Sequence, residues 1–250
     1  MTLTIIERRD HVLLIRMNRE HKRNAVDRAL ADALDEAFNL LDDDPGLRAG
    51  VLTGTPAVFS AGSDLTALGD YSTERGGEYG LIRRDRRTPL IAAVEGPALG
   101  GGLEMVLACD LVVAGRSARF GLPEVARGVV PTCAGLFRGP RALPLNLAHE
   151  LALTGDPFDA ARAHAAGLVN EVTEDGAAEP AALALAERIC RNSPTAVRAS
   201  LAAMRRWAAA SEAEGWRATE EAIAAVHDTA DQREGVQAFL EKRPPRWSGR

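Results

Sequence analysis

Two glutamates and two glycine-rich corners are the residues of this chain whose types and spacing could do chemistry. Glu104 opens the apolar run Glu104-Met105-Val106-Leu107-Ala108, and Glu124 sits inside Phe120-Gly121-Leu122-Pro123-Glu124-Val125. A carboxylate in such surroundings must be paired, lie at an edge, or occupy a partly desolvated pocket where its proton affinity rises and suits it to proton transfer. The corners are Phe59-Ser60-Ala61-Gly62-Ser63-Asp64-Leu65 and Gly96-Pro97-Ala98-Leu99-Gly100-Gly101-Gly102-Leu103-Glu104. Each could aim a backbone N–H at a carbonyl oxygen, and two such donors together would stabilise an enolate or a tetrahedral intermediate. Taken singly, each corner also reads as a tight turn, and each glutamate as a cap, salt-bridge partner or edge residue.

Competing chemistries find less support. Neither corner fits G-x-G-x-x-G with its acidic partner, nor G-x-x-x-x-G-K-[ST], which argues against dinucleotide and P-loop sites. The hydroxyl of Ser63 is not read as a nucleophile, because no histidine is placed as its base. His11, His21, His149, His164 and His227 form no compact ligand set, and Cys109, Cys133 and Cys190 are odd in number without C-x-x-C spacing. No metal site and no disulfide framework are expected, and a reducing cytosol fits best. Met105 and Cys109 share an apolar helical face and read as packing; Cys133 reads as part of a specificity wall.

The 250 residues carry 30 Lys+Arg against 35 Asp+Glu, a net charge of −5, with 46% hydrophobic and 26% charged residues. This is globular composition without the cationic surface that nucleic-acid binding requires, and Arg83, Arg84, Arg86 and Arg87 are a short cluster with no RNP or zinc-finger frame. No apolar run reaches 18 residues and no secretory h-region follows Met1, so a cytoplasmic protein with no membrane span is expected.

These side chains need a frame. Leu3 to Glu7 and Val12 to Met17 read as paired strands, and Val26, Leu30, Ala33, Leu34, Ala37 and Leu41 mark a helix ending before Asp44. Val51 to Thr53 and Ile91 to Val94 follow as buried strands, which makes the core α/β. Gly69 to Gly80 reads as an irregular, mobile surface segment or a substrate cover, and Leu81-Ile82 with the arginine cluster as the start of a more ordered piece. Beyond Val169 the chain turns alanine-rich and helical. Ser193-Pro194 reads as an N-cap and N1 pair, Val197, Leu201, Met204 and Trp207 or Ala208 mark one face of the next helix, and Ser211 with Glu214 reads as a capping box. A soft boundary falls near residue 190.

In ordered pieces spread over nearly the whole chain, the sequence resembles the enoyl-CoA hydratase/isomerase, or crotonase, family. The pieces are Asn18-Arg19, Lys22-Arg23-Asn24-Ala25, the corner at 59–65, Gly96 to Glu104 with Cys109-Asp110, Phe120 to Glu124 with Gly128, Gly167-Leu168-Val169, and Phe239-Leu240-Glu241-Lys242-Arg243-Pro244-Pro245. Each alone is weak; their order is specific. The resemblance implies a crotonase-like superhelix of ββα units over residues 1–190, with two roughly perpendicular sheets. It also implies a C-terminal helical region, 191–250, that covers the active site and makes a homotrimer or a dimer of trimers.

An acyl-CoA thioester is the implied substrate, coenzyme A being part of it, with no separate cofactor. Carried over by position, the backbone N–H groups of Ser63 and Gly101 make the oxyanion hole, and Glu104 and Glu124 the acid/base pair of the hydratases. Arg23, Ala25, Ala61 and Lys242 fall on the coenzyme A side. Where hydratases have a glycine-rich segment this chain has Pro131-Thr132-Cys133-Ala134-Gly135; Thr132 is expected to present its backbone N–H to the reacting water, while side chains at 132–134 crowd the acyl site. Water addition is the leading reading, with enoyl-CoA isomerisation and non-catalytic acyl-CoA binding as alternatives.

Overall fold

The structure is a computed structural model that describes residues 2–67, 71–209 and 211–249. Its inner strands follow from short continuous apolar runs and its helices from apolar stripes. An antiparallel hairpin, β1 (Thr4–Arg9) and β2 (Val12–Met17), turns at Asp10, whose φ is +50°. Next comes α1 (Arg28–Asp43), capped by the Asp27 side chain, which accepts the Leu30 N–H at 2.9 Å. It is followed by β3 (Ala49–Thr53), the short pair β4 (Ser72–Thr73) and β5 (Gly77–Glu78), then β6 (Leu90–Val94) and β7 (Pro97–Leu99).

After α2 (Gly101–Ala108) come β8 (Leu111–Gly115), β9 (Arg119–Gly121) and a 3-10 turn, Pro123–Arg127. The chain continues through α3 (Gly135–Ala142), α4 (Leu145–Thr154), β10 (Phe158–Asp159), α5 (Ala160–Ala165) and β11 (Glu171–Thr173). Four helices end it: α6 (Ala178–Cys190), α7 (Pro194–Ala209), α8 (Glu212–Val226) and α9 (Ala230–Glu241).

Six strands form the main sheet in the order β1-β2-β3-β6-β8-β11, parallel throughout except for the first pair; β10-β9-β7 form a second sheet. The inner strands β2, β3, β6 and β8 are buried on both faces, as a largely parallel sheet requires, while the edge strands β1 and β11 are partly exposed. Leu13, Ile15 and Met17 join Leu52, Leu90, Ala92 and Val94 on the face toward α1 and the second sheet. The alternate residues Val12, Leu14, Val51, Ile91 and Ala93 lie under Ala178, Ala182 and Ala186 of α6. The alanine stripe lets α6 approach the sheet closely.

Two expectations need correction. Residues 69 and 70 lie outside the described residues, but 71–80 are regular and only partly superficial: they hold the β4–β5 pair, Glu74 and Arg75 at its turn are exposed, and Tyr79 is only 1% exposed. The ordered piece expected to begin at Leu81 is there, and its arginines anchor it: Arg84 is buried against Asp35 (2.5 Å) and Asp42 (3.0 Å) of α1. Buried Arg86 meets Asp110 at 2.9 Å, and Asp110 in turn meets Arg205 of α7 at 3.1 Å. Finally, Ser211 makes no capping box. Its φ and ψ are already near-helical (−106°, −7°), its hydroxyl donates to the Ala208 carbonyl, and Glu214 pairs with Arg217 instead.

Ser193 does cap α7, accepting the Ala196 N–H at 3.4 Å. On the expected face of that helix Leu201 is buried, while Met204 and Trp207 are 62% and 81% exposed.

Candidate active site

The two glycine corners meet. Ser60 and Val26 tether the first: Ser60 bridges Ala98, Ser63 bridges Val26, the Val26 N–H donates to the Gly62 carbonyl at 2.7 Å, and the Asp64 N–H returns to the Val26 carbonyl at 2.9 Å. Gly62 sits at φ +87°, and a Cβ there would stand 2.7 Å from the Gly101 nitrogen. Only a residue without a side chain lets the two segments approach this closely. Gly101 is the first residue of α2, and its N–H has no carbonyl a turn earlier to bond within the helix. The peptide after Gly62 and the peptide entering Gly101 are therefore neighbours, at the positive end of a helix.

A buried polar frame holds this corner. Arg19 bonds the Ala25 carbonyl (2.8 Å), Asp64 (2.9 Å) and Asp27 (2.8 Å), and Asn24 donates to the carbonyls of Val58 (3.1 Å) and Phe59 (3.0 Å). The Ser60 hydroxyl donates to the Asn24 carbonyl at 2.8 Å. Burial works against ionisation of Asp64, yet hydrogen bonds from Thr66 and Arg19 outweigh it and hold its pKa down at about 2. Arg19, Asn24 and Asp64 were visible in the sequence only as motif letters; partners this far apart in the chain leave no local signal.

Glu104 projects from the first turn of α2 and is 2% exposed. Its Oε1 accepts the N–H groups of Cys133 at 2.7 Å and Gly135 at 2.8 Å, so Cys133 and Gly135 hold this carboxyl. Ala134 between them takes a left-handed φ of +77°, which turns both amides toward one oxygen. Burial first, and the Glu124 charge second, push the pKa of Glu104 up to about 8 despite those bonds. With Oε1 saturated, a proton on this carboxyl resides on Oε2.

Glu124 lies in the 3-10 turn. Burial pushes its pKa up to about 7, opposed by a backbone hydrogen bond and by Arg127. Its Oε2 is buried with no hydrogen-bond partner among the described residues, and a Cβ on Gly100 would stand 3.1 Å from Oε1. The two carboxyls thus flank the start of α2, both with proton affinities near neutrality. Groups with such pKa values in a recess are candidates for acid/base work.

Tyr79 is a site neighbour that the sequence did not single out. Its hydroxyl lies 2.6 Å from the Ser63 Oγ, and a Cβ on Gly101 would run into it. Burial, then the nearby Cys133 and Glu104, raise its pKa well above the usual phenol range. Thr132, exposed beside buried Cys133, lines a cavity of about 310 Å³ that opens from Ser63.

Arg23, Ala25 and Ala61 come together on the near side of the same corner: the Arg23 carbonyl accepts the Ala61 N–H at 3.0 Å, and the Arg23 side chain is exposed. Lys242 stands on another element, as the exposed left-handed cap of α9, the helix that packs on the turn bearing Glu124. Among the described residues, no three His, Cys, Asp or Glu side chains converge as a metal ion would need. No helix is long and apolar enough to cross a membrane.

Residues 7–250 match the family model described as enoyl-CoA hydratase/isomerase. Enoyl-CoA hydratase EchA19 of Mycobacterium tuberculosis is 38% identical, over 98% of this chain and 96% of its own length. The 2,3-dehydroadipyl-CoA hydratase of Escherichia coli is 35% identical over all of both chains. A carnitinyl-CoA hydratase from Mycobacterium avium superposes with a TM-score of 0.92 at 41% identity, covering both chains completely. Matched in sequence and in fold from end to end, the chain belongs to the enoyl-CoA hydratase/isomerase family.

Proposed function

We propose that this protein is an enoyl-CoA hydratase, a hydro-lyase that adds water reversibly across the double bond of a trans-2-enoyl-CoA thioester. The observation that carries this reading is the approach of Gly62 to the Gly101 nitrogen beside two carboxyls whose pKa values are raised to about 8 and about 7. The thioester oxygen takes the Ser63 and Gly101 N–H groups, which strengthen as enolate charge develops on it. Glu104 and Glu124 share one proton. Water oxygen bonds to Cβ as its proton passes to the ionised carboxylate, and the protonated carboxyl gives its proton to Cα, so the pair ends with the charge it began with.

Thr132 lines the side from which water and the acyl group enter. On the coenzyme A side, Arg23 and Lys242 supply charge-assisted donors to phosphates, and the backbone at Ala25 and Ala61 holds the adenine or pantetheine portion. The reaction needs no further cofactor. In this reading residues 1–190 form the catalytic core and 191–250 the covering and assembly region. Exposed Met204 and Trp207 on α7 support burial in a homotrimer or dimer of trimers, and the cytoplasm is the proposed location. Purified protein incubated with trans-2-enoyl-CoA is expected to yield a product heavier by one water. An unchanged mass with a displaced double bond makes it an isomerase, and an unchanged compound makes it a binding protein.

A further inference from the structure

We infer that the acyl pocket selects short acyl groups carrying a neutral hydroxyl or carbonyl function over hydrocarbon or carboxylate tails. The inference rests on the hydratase reading only for which end of the thioester lies at Ser63. The cavity of about 310 Å³ runs from Ser63 between the β4–β5 pair and α8, a size at the lower end of ligand sites. Among the described residues its wall is mixed: Ile223, Cys133 and the rings of Tyr71 and Trp216 are apolar, while Glu78, Arg83, Thr132 and Thr219 bring charged or hydroxyl groups, the Thr219 hydroxyl already donating to the Gly215 carbonyl at 2.9 Å. A hydrocarbon tail would cover the terminal N–H groups of Arg83 and return no hydrogen bond.

Arg83 is held in place within that wall. Gly77, at φ +64°, has no side chain where the Arg83 stem passes. The guanidinium carbon stands 3.5 Å from the centroid of the Trp216 ring, and Phe137 packs edge-on against the same indole at 5.2 Å. Arg83 Nε lies within hydrogen-bond distance of both Glu78 carboxylate oxygens, at 3.0 and 3.2 Å. One face and one edge of the guanidinium are thereby used. Its terminal N–H groups meet no protein acceptor among the described residues, although the side chain borders the cavity.

The charges then decide the class of tail. Glu78 already balances Arg83, and exposed Glu220 adds a negative charge at the rim, so a carboxylate tail meets no net positive field. A hydroxyl or carbonyl oxygen fits: it accepts from the terminal N–H groups of Arg83, and a hydroxyl can also donate to Glu78 or to Thr219 Oγ.

The test uses 2-enoyl-CoA and saturated acyl-CoA thioesters of equal chain length ending in methyl, hydroxyl, ketone or carboxylate. For wild type, the hydroxyl or ketone compounds should exceed the methyl compound by about tenfold or more in kcat/KM, and the Kd values of the saturated thioesters should follow the same order. Arg83→Met should bring that ratio close to one. Thr219→Val, which removes one hydroxyl at nearly constant volume, should lower the ratio in part and serves if Arg83→Met does not fold. A wild type that ranks methyl or carboxylate first overturns the inference. If no enoyl thioester gains water the hydratase reading falls, while the Kd order of the saturated thioesters still decides the pocket.

Discussion

The two sides of this site are made of different material. On one side, the corners at 60–64 and 100–104 rely on main-chain groups: peptide N–H donors, carbonyl tethers, and a glycine at Gly62 that leaves no room for a Cβ. Facing them, the wall from Tyr71 to Arg83 and α8 relies on side chains: Tyr79 on Ser63, Arg83 on Trp216 and Glu78. Main-chain donors work for any thioester, because every such substrate presents the same carbonyl. Side chains individualise the pocket. Chemistry and selectivity should therefore fail separately when each side is altered.

The carboxyls serve the first side and carry the largest expected effect. Glu104→Gln and Glu124→Gln should each lower hydration about 10³-fold, within the range for loss of an acid/base group, while acyl-CoA Kd changes little. Steady-state rates beside calorimetric binding check this, and two variants as active as wild type would remove both roles. Next comes the hole. Gly62→Ala adds a Cβ at 2.7 Å from the Gly101 nitrogen and at a φ of +87°, so kcat should fall about 10²-fold. Ser63→Ala keeps the N–H and loses only the hydroxyl beside Tyr79; a loss there as large as at Gly62 would contradict a main-chain hole.

A smaller effect appears in stability against pH. Glu104 and Glu124, raised to about 8 and about 7, hold protons more tightly folded than unfolded, where a glutamate titrates near about 4.3. Their contribution is complete below the unfolded value and is lost as pH rises through 7 and 8. Chemical denaturation at pH 5 and pH 9 should show wild type losing more stability than Glu104→Gln, by about 1 kcal/mol or more. Smallest of all, Tyr79→Phe removes a hydrogen bond but keeps the buried ring. It should cost about 1 kcal/mol in the same assay and leave kcat within about tenfold.

The same contrast explains what the sequence disclosed. The strands around residues 15, 52 and 92 and the stripe of α1 are local patterns, and the structure has them. The glycine corners and the two glutamates stood out through family motifs, which encode main-chain geometry compactly. The side-chain wall gave no such signal. Arg83 meets Trp216 and Arg84 meets Asp35 only after folding, so the cluster reads as the start of an ordered piece without showing what its arginines hold. Tyr79 was hidden in a glycine-rich stretch that reads as loop until its hydroxyl is seen beside Ser63. Ser211 and Glu214 have capping-box spacing, but Ser211 is already near-helical and Glu214 bonds Arg217.

The central claim is that two peptide N–H groups and one proton shared by two glutamates add water to an enoyl thioester. Mass spectrometry of crotonyl-CoA incubated with the purified protein in oxygen-18 water tests it most directly. The account predicts a product heavier by one labelled water, formed by wild type and nearly absent with either glutamine variant. A wild type that binds the thioester yet returns it with no label, or variants that label it as fast as wild type, would contradict the account.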